Sequence, residues 1–127
     1  MPAPQTAQRQ AIENAINAAS GPLSPAEVLQ AARVEVSSLS LATVYRTLKR
    51  MVTDGQLSTV DLPGQTPRYE RALIAREHHH HFWCVNCDSV FDLEGCVEGL
   101  KKLLPSGFRM TSHEITLHGQ CQSCEAS

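Results

Sequence analysis

The sequence lacks the long apolar run that would cross a membrane and the leader pattern that would direct secretion. No stretch of about 18 apolar residues occurs. The segment Met1 to Gln5 has no positive region followed by an apolar core. We therefore expect a cytoplasmic chain with no membrane partner. Aromatic residues make up only 5% of the 127 residues, so the cores should be modest and should gain from a bound metal or a partner chain.

The sequence also lacks a strong net charge. With 11 Lys/Arg and 13 Asp/Glu, the formal net charge is −2, which alone does not indicate a nucleic-acid partner. The charge is unevenly divided, because residues 1–76 carry 8 basic and 6 acidic side chains and residues 77–127 carry 3 and 7. The net charge is therefore +2 for the first half and −4 for the second. The first half is the more plausible DNA-facing half.

Cysteine is scarce, with five residues, but four of them form two Cys-x2-Cys pairs. Cys84 and Cys87 are separated by 33 residues from Cys121 and Cys124. Each pair can bind one ion from a single turn, and two pairs complete a closed tetrahedral zinc site. The gap exceeds the roughly 15–20 residues of the commonest pattern, so the site should enclose a small subdomain. Redox dithiols or a disulfide framework are the alternatives, and Cys96 is expected to be a small buried hydrophobic residue.

Four consecutive histidines run into the first cysteine pair. On a strand, successive side chains point to opposite faces, so His79 and His81 should share one face and His78 and His80 the other. Imidazole is the commonest metal ligand among side chains. The run therefore predicts two metal sites, one on each face. A purification-tag remnant is the alternative, against which the short, internal position next to a zinc turn argues.

The first half of the chain predicts three short helices and a hairpin. Thr6 is a candidate N-cap of the first helix, and Ser24 to Glu27 has the serine, proline and glutamate of a capping box. A third helix should cover residues 41–52, and two strands should follow at residues 57–61 and 67–71. This order is typical of a helix-turn-helix with a wing.

The third predicted helix has an apolar face and a basic face. Basic side chains can reach phosphates or guanine edges, and tyrosine or threonine can touch a thymine methyl. A basic face that only contacts solvent would explain the same distribution of side chains equally well. The candidate DNA-binding residues are Thr43, Tyr45, Arg46, Lys49 and Arg50 on this helix and Arg68 in the hairpin.

Several segments in order resemble the ferric uptake regulator family of metal-dependent bacterial transcription regulators. They are Leu41–Leu48, Arg68–Glu70, His78–Cys87 and His113–Cys124. The resemblance implies an α+β fold, with a winged helix-turn-helix DNA-binding domain over residues 1–76 and an α/β dimerisation domain with a structural zinc site over residues 77–127. It further implies a homodimer, not an enzyme, that binds double-stranded operator DNA, typically as a repressor, when Fe(II), Mn(II) or Zn(II) at the domain junction fixes the DNA-competent form.

The resemblance also implies three sets of metal ligands. The structural zinc would use Cys84, Cys87, Cys121 and Cys124; the sensing site would use Glu70, His79 and His81; the second site would use His78, His80, Glu98 and His113. For Glu98, the alternatives are Asp92 and Glu94. Pro22 stands where many iron- and peroxide-sensing members have a histidine, so we predict that Asp61 supplies a ligand, as an aspartate of the wing does in zinc-sensing members. The cysteine that those members also use has no counterpart near residues 72–74.

Other interpretations remain open. One is a zinc-ribbon interaction module without metal sensing, and another is a zinc- or peroxide-sensing subtype of the same family. A dithiol oxidoreductase would need a Cys-x2-Cys pair that opens a helix, and a hydrolase would need an open metal position with a positioned base. The sequence indicates neither. A sensing set without thiolate favours iron or manganese over zinc.

Overall fold

The computed structural model describes residues 4–76 and 79–125, and the chain divides into two compact units, Met1–Glu77 and His78–Ser127. Within the described residues, no helix combines the length and the apolar character needed to cross a membrane.

The first unit consists of three helices, a hairpin and a short fourth helix. Its elements are α1 (Gln5–Ala18), α2 (Pro25–Ala32), α3 (Leu41–Thr53), β1 (Leu57–Val60), β2 (Arg68–Arg71) and α4 (Ala72–Arg76). Strands β1 and β2 pair antiparallel, with Val60 opposite Arg68. Three helices followed by such a hairpin confirm the predicted winged helix-turn-helix, whereas α4 was not anticipated from the sequence.

Two of the three predicted helix starts are confirmed by their hydrogen bonds. At α2, the Ser24 hydroxyl accepts from the Glu27 N–H at 3.2 Å, and the Glu27 carboxylate accepts from the Ser24 N–H at 3.0 Å. At α3, the Ser40 hydroxyl accepts from the Thr43 N–H at 3.2 Å. The Thr6 prediction was wrong, because α1 already begins at Gln5, behind Pro4, and has no side-chain cap.

Apolar side chains at helical spacing form the core of the first unit. From α3, Val44, Leu48 and Met51 are buried, while the opposite face of the helix is exposed. The core is completed from the other helices, the α2–α3 connection and β1 by Ala11, Ile12, Ile16, Val28, Ala32, Val36, Leu39 and Leu57. This packing fixes which face of α3 points to solvent.

Arg68 lies inside the first unit and not on its surface. It is only 4% exposed, and its Nη1 donates to the Glu27 carboxylate and, at 3.3 Å, to the Pro22 carbonyl oxygen. The prediction that Arg68 contacts DNA is therefore wrong. The guanidinium instead ties β2 to the start of α2.

The second unit is built on a mixed three-stranded sheet. Its elements are β3 (His79–Cys84), β4 (Val90–Glu94), a 3₁₀ helix (Leu100–Leu103), β5 (Thr116–Gly119) and α5 (Gln122–Glu125). The central strand, β3, pairs antiparallel with β4 and parallel with β5. Among its described residues, the buried apolar side chains are only Cys84 and Val90, so this unit has little apolar core of its own.

The contact between Arg68 and Glu27 should contribute to the stability of the first unit. Replacing Arg68 with alanine should lower the free energy of unfolding by about 2–4 kcal/mol, because Glu27 would lose its buried partner. Urea unfolding followed by circular dichroism measures the change. As a matched control, Arg71→Ala removes an exposed guanidinium from the same strand and should change stability by no more than about 0.5 kcal/mol. Equal losses in the two variants would contradict the structural role of Arg68.

Candidate metal centres

The two Cys-x2-Cys pairs meet at one end of the sheet. Cys84 is the last residue of β3, and the turn after it is closed by a 2.9 Å hydrogen bond from the Asp88 N–H to the Cys84 carbonyl. Asp88 has a φ of 62°, the left-handed conformation that this turn requires. Gly119 pairs with Cys84 across the parallel strands. Strand β5 thereby carries Cys121 to the first pair.

The four sulfurs have the spacing of a tetrahedral zinc site. Cys84 Sγ lies 3.6 Å from Cys124 Sγ, and Cys87 Sγ lies 3.9 Å from Cys121 Sγ; all four lie within 4.8 Å of one another. Zinc–sulfur bonds of about 2.3 Å at tetrahedral angles place neighbouring sulfurs about 3.8 Å apart. The cysteines are free thiols, with sulfurs well beyond the roughly 2.05 Å of a disulfide bond. The residues therefore fit a four-thiolate zinc centre.

The thiols of this cluster differ in acidity. Hydrogen bonds from the backbone N–H groups of Cys87 and then Cys121 lower the pKa of Cys84 to about 6. A hydrogen bond with the Cys84 side chain raises the pKa of Cys124 to about 12. The first thiolate thus forms easily, and the last does not form near neutral pH without a cation to compensate it.

A second group of ligands lies on one face of β3. His79 Nε2 and His81 Nε2 each lie 3.4 Å from Asp92 Oδ1, and the two imidazole centroids are 4.9 Å apart. Asp92 stands opposite His81 on the antiparallel strand β4. The predicted pairing of His79 and His81 on one face is therefore observed. The carboxylate that joins them was not assigned to this pair from the sequence, because the register of β4 was unknown.

The two carboxylates predicted from the first unit differ in exposure. Glu70 is 5% exposed and shares the buried face of β2 with Arg68. Asp61 follows β1 and is exposed. Burial, and then the neighbouring Tyr45 and Asp61, raises the pKa of Tyr69. The phenol therefore stays neutral beside the Asp61 carboxylate. The membership of Glu70 and Asp61 in a sensing site stays a prediction.

A third group of possible metal ligands contains Cys96, for which the sequence predicted no metal role. Cys96 Sγ lies 3.3 Å from His80 Nε2 and 2.8 Å from His113 Nε2. Cys96 is exposed, so the expectation of a buried hydrophobic residue was wrong. In the part of the chain that the structure describes, Glu98 is exposed and does not join this group, and Cys96 is its third member instead. His78 lies outside the described residues.

Trp83 is placed where it can report on the cysteine cluster. It precedes Cys84 on β3, its Nε1 donates to Asp88 Oδ1 at 3.3 Å, and its ring makes an edge-on contact with His118 at 5.0 Å between centroids. His118 is exposed. Since this is the single tryptophan, its emission should follow the zinc turn.

The exposed face of α3 borders a concave surface in the first unit. Tyr45 is 45% exposed, and Arg46 Nη2 donates to Thr43 Oγ1 at 3.2 Å. The concave surface encloses about 480 Å³ and is lined by Gln5, Gln8, Arg9, Thr43, Arg46, Thr47 and Arg50. The sequence reasoning missed the contribution of α1. Its signal was the polar residues Gln5, Gln8 and Arg9, which recur at helical spacing before Ile12.

The cysteine cluster predicts one zinc ion per chain that resists mild chelation. Cys124→Ser should lose this ion, because three thiolates leave the closed site incomplete, and Trp83 emission should shift. Elemental analysis after dialysis against a chelator measures the metal. Cys96→Ser is the matched control, since it removes the fifth cysteine and should keep the resistant zinc. Retention of zinc by Cys124→Ser would contradict the four-thiolate centre.

Comparisons with known proteins place the chain in a family. A model of the ferric uptake regulator family matches residues 4–118. The ferric uptake regulation protein of Synechococcus elongatus is 34% identical over 94 residues, which are 72% of this chain and 63% of that protein. The chain thus spans less than two thirds of the length of this relative.

Solved structures give the same result. A zinc-bound manganese uptake regulator is similar with a TM-score of 0.78 and 25% identity, covering 90% of this chain and 87% of that one. The Helicobacter pylori ferric uptake regulator, described as having three functional metal binding sites, is similar with a TM-score of 0.63 and 25% identity, covering 94% and 81%. The chain belongs to the ferric uptake regulator family.

Proposed function

We propose that the chain is a metal-responsive, DNA-binding transcriptional repressor and not an enzyme, and that it acts as a homodimer in the cytoplasm. The observation that carries the proposal is the convergence of His79, His81 and Asp92 on one face of β3, the strand that ends in the cysteine cluster. A structural zinc at the cysteines holds the strand in place. A second, exchangeable cation at the imidazoles and the carboxylate is the signal.

The ligand set of the exchangeable site suits iron(II) or manganese(II) as well as zinc. Two imidazole nitrogens and one carboxylate oxygen, without thiolate, form a donor set typical of iron(II), and carboxylate oxygen also suits manganese. Glu70 is proposed as a further oxygen ligand, since it is held in a buried position on β2 beside Arg68. Asp61 is proposed as the ligand that replaces the histidine lost at Pro22.

Ligands from both halves of the chain would couple metal binding to DNA binding. A cation that binds one arrangement of residues 1–76 and 77–127 better than others shifts the population toward it by the difference in affinity. DNA that prefers the same arrangement then tightens metal binding by the same factor. The response to metal is thus a coupling free energy between metal binding and DNA binding, and it requires no chemical reaction.

The DNA-binding surface is proposed to be the exposed face of α3. Arg46, Lys49 and Arg50 supply positive charge for phosphates or guanine edges, and Thr43 and Tyr45 supply contacts to bases. Arg9 of α1 borders the same concave surface and would add a backbone contact. Arg68 has no part in this surface.

The second unit is proposed to pair with a second copy of the chain. Apolar side chains remain exposed on it, with Val97 at 59%, Leu103 at 80% and Phe108 at 67%. Together with the small apolar core of its described part, this exposed surface favours self-association. A zinc-ribbon module without sensing would need only the cysteines, and the convergence of His79, His81 and Asp92 favours the regulator over it.

Asp92 provides the test of the sensing site. Asp92→Asn should weaken metal-dependent DNA binding by at least about tenfold, because the carboxylate ligand is lost. The probe is a duplex selected from a random library by the manganese-loaded protein, and fluorescence anisotropy measures affinity against metal concentration. Glu94→Gln is the matched control, since Glu94 lies on the same strand but outside the group.

A variant of the DNA surface separates sensing from DNA contact. Arg46→Ala should weaken DNA binding while the concentration of manganese that half-saturates the protein stays unchanged. If Asp92→Asn behaved like Glu94→Gln, with an unaltered metal response, the sensing role of this group would be refuted.

Asp61 is tested separately. Asp61→Ala should lower metal-dependent DNA affinity without lowering the stability of the fold, because Asp61 is exposed and lies after the end of β1. The same anisotropy titration, with urea unfolding as a check, measures both. An unchanged metal response would remove Asp61 from the ligand set and leave Glu70 as the only proposed ligand of the first unit.

A further inference from the structure

We propose that Cys96, in place of Glu98, completes the second predicted metal site with His80 and His113, and that its thiolate makes this site select zinc-class cations over manganese and iron(II). The centre differs from the sensing site in its donors, two nitrogens and one sulfur in place of two nitrogens and one oxygen. The inference does not depend on DNA binding or on dimerisation, because all three residues belong to the second unit.

The three donors converge from different parts of that unit. His80 is on β3 and 4% exposed, His113 precedes β5, and Cys96 follows β4. Their ligand atoms lie within 4.8 Å of one another, and the two imidazole centroids are 5.1 Å apart. Because Cys96 is exposed, a cation can reach the group from solvent while His80 anchors it inside.

Strand alternation separates this centre from the sensing site. His80 points to the face opposite His79 and His81, so one cation cannot be shared between the two groups. Thiolate is a soft ligand, which zinc binds well, whereas manganese prefers oxygen ligands. The two faces of β3 therefore offer sites of different chemistry.

The loop that carries Cys96 has the backbone needed to present it. Gly95 and Gly99 flank the segment with φ values of 87° and 86°, a conformation that glycine adopts without steric cost. These two glycines turn the chain out of β4 and into the 3₁₀ helix. The turn brings Cys96 to the imidazoles and leaves Glu98 exposed.

Metal binding requires a small rearrangement with its own signature. The Ile115 N–H donates to His80 Nδ1 at 3.2 Å, so the neutral ring carries its proton on Nε2. A cation at Nε2 needs the other tautomer, and the Ile115 contact must then loosen. Tetrahedral nitrogen and sulfur ligands lie about 3.6 Å apart, so the imidazoles and the thiolate also move slightly away from one another.

Cobalt(II) provides a direct test, because a thiolate ligand gives cobalt a charge-transfer band in the near ultraviolet. Cobalt is added to protein whose four-cysteine cluster holds zinc, with zinc content measured throughout. Cys96 is then the one cysteine of the five outside that cluster. We expect a charge-transfer band in the unaltered chain, no band in Cys96→Ser, and a shift of the Ile115 amide signal in nuclear magnetic resonance spectra.

Zinc and manganese titrations test the selectivity. Cys96→Ser should lower the zinc affinity of the tighter exchangeable site by at least about tenfold, while the manganese affinity of the chain stays unchanged. Glu98→Gln, the matched control, should keep the cobalt band and the zinc affinity. Circular dichroism and Trp83 emission confirm that each variant is folded, and His113→Gln tests the centre without touching the thiol.

Two outcomes would overturn the proposal. One is cobalt that binds the zinc-loaded chain without a thiolate band. The other is a band that persists in Cys96→Ser, which would trace it to cobalt in the four-cysteine cluster. Neither outcome touches the regulator proposal, whose test is the response of DNA affinity to manganese in Asp92→Asn.

Discussion

Four sulfur atoms within 4.8 Å of one another are the constraint on which the second unit depends. Two backbone N–H groups favour a thiolate at Cys84, while the pKa of Cys124 is raised to about 12, so a fully ionised cluster needs a cation. Because Cys84 ends β3 and Cys121 follows β5, the same cation ties the two strands together. The described part of the second unit buries little apolar surface. Metal binding therefore supplies folding stability that a larger domain gains from its apolar core.

The position of that zinc also orders the histidines. Strand β3 runs from His79 directly into the zinc turn, so a fixed end at Cys84 sets the register of the whole strand. Its pairing with β4 places Asp92 opposite His81, and its pairing with β5 places Ile115 against the same strand. Loss of the structural zinc should therefore disorganise both histidine groups, although neither shares a ligand with it.

Sequence reasoning was accurate where one short segment determines the result. The Cys-x2-Cys spacing, the alternation of the histidines and the capping box at Ser24 are local, and each is observed. It failed where a partner comes from elsewhere in the chain. Asp92 could be joined to His79 and His81 only with the register of β4, and the burial of Arg68 only with the position of Glu27, 41 residues away. Cys96 belongs to the same class, because a loop with two glycines decides where its sulfur points.

The different donors on the two faces of β3 would affect which metals the chain binds in the cell. Intrinsic affinity rises from manganese through iron to the later metals whatever the ligands, so a site of imidazole and carboxylate alone also accepts zinc when zinc is plentiful. A nearby thiolate-containing centre with higher zinc affinity would take up zinc first, at low free concentrations. Because each site fills according to its own affinity for free zinc, the sensing face would bind zinc only at free concentrations at which the other centre is already full. The two faces of β3 would in this way respond to two ranges of free zinc, and Cys96 would set the lower one without contacting the sensed metal.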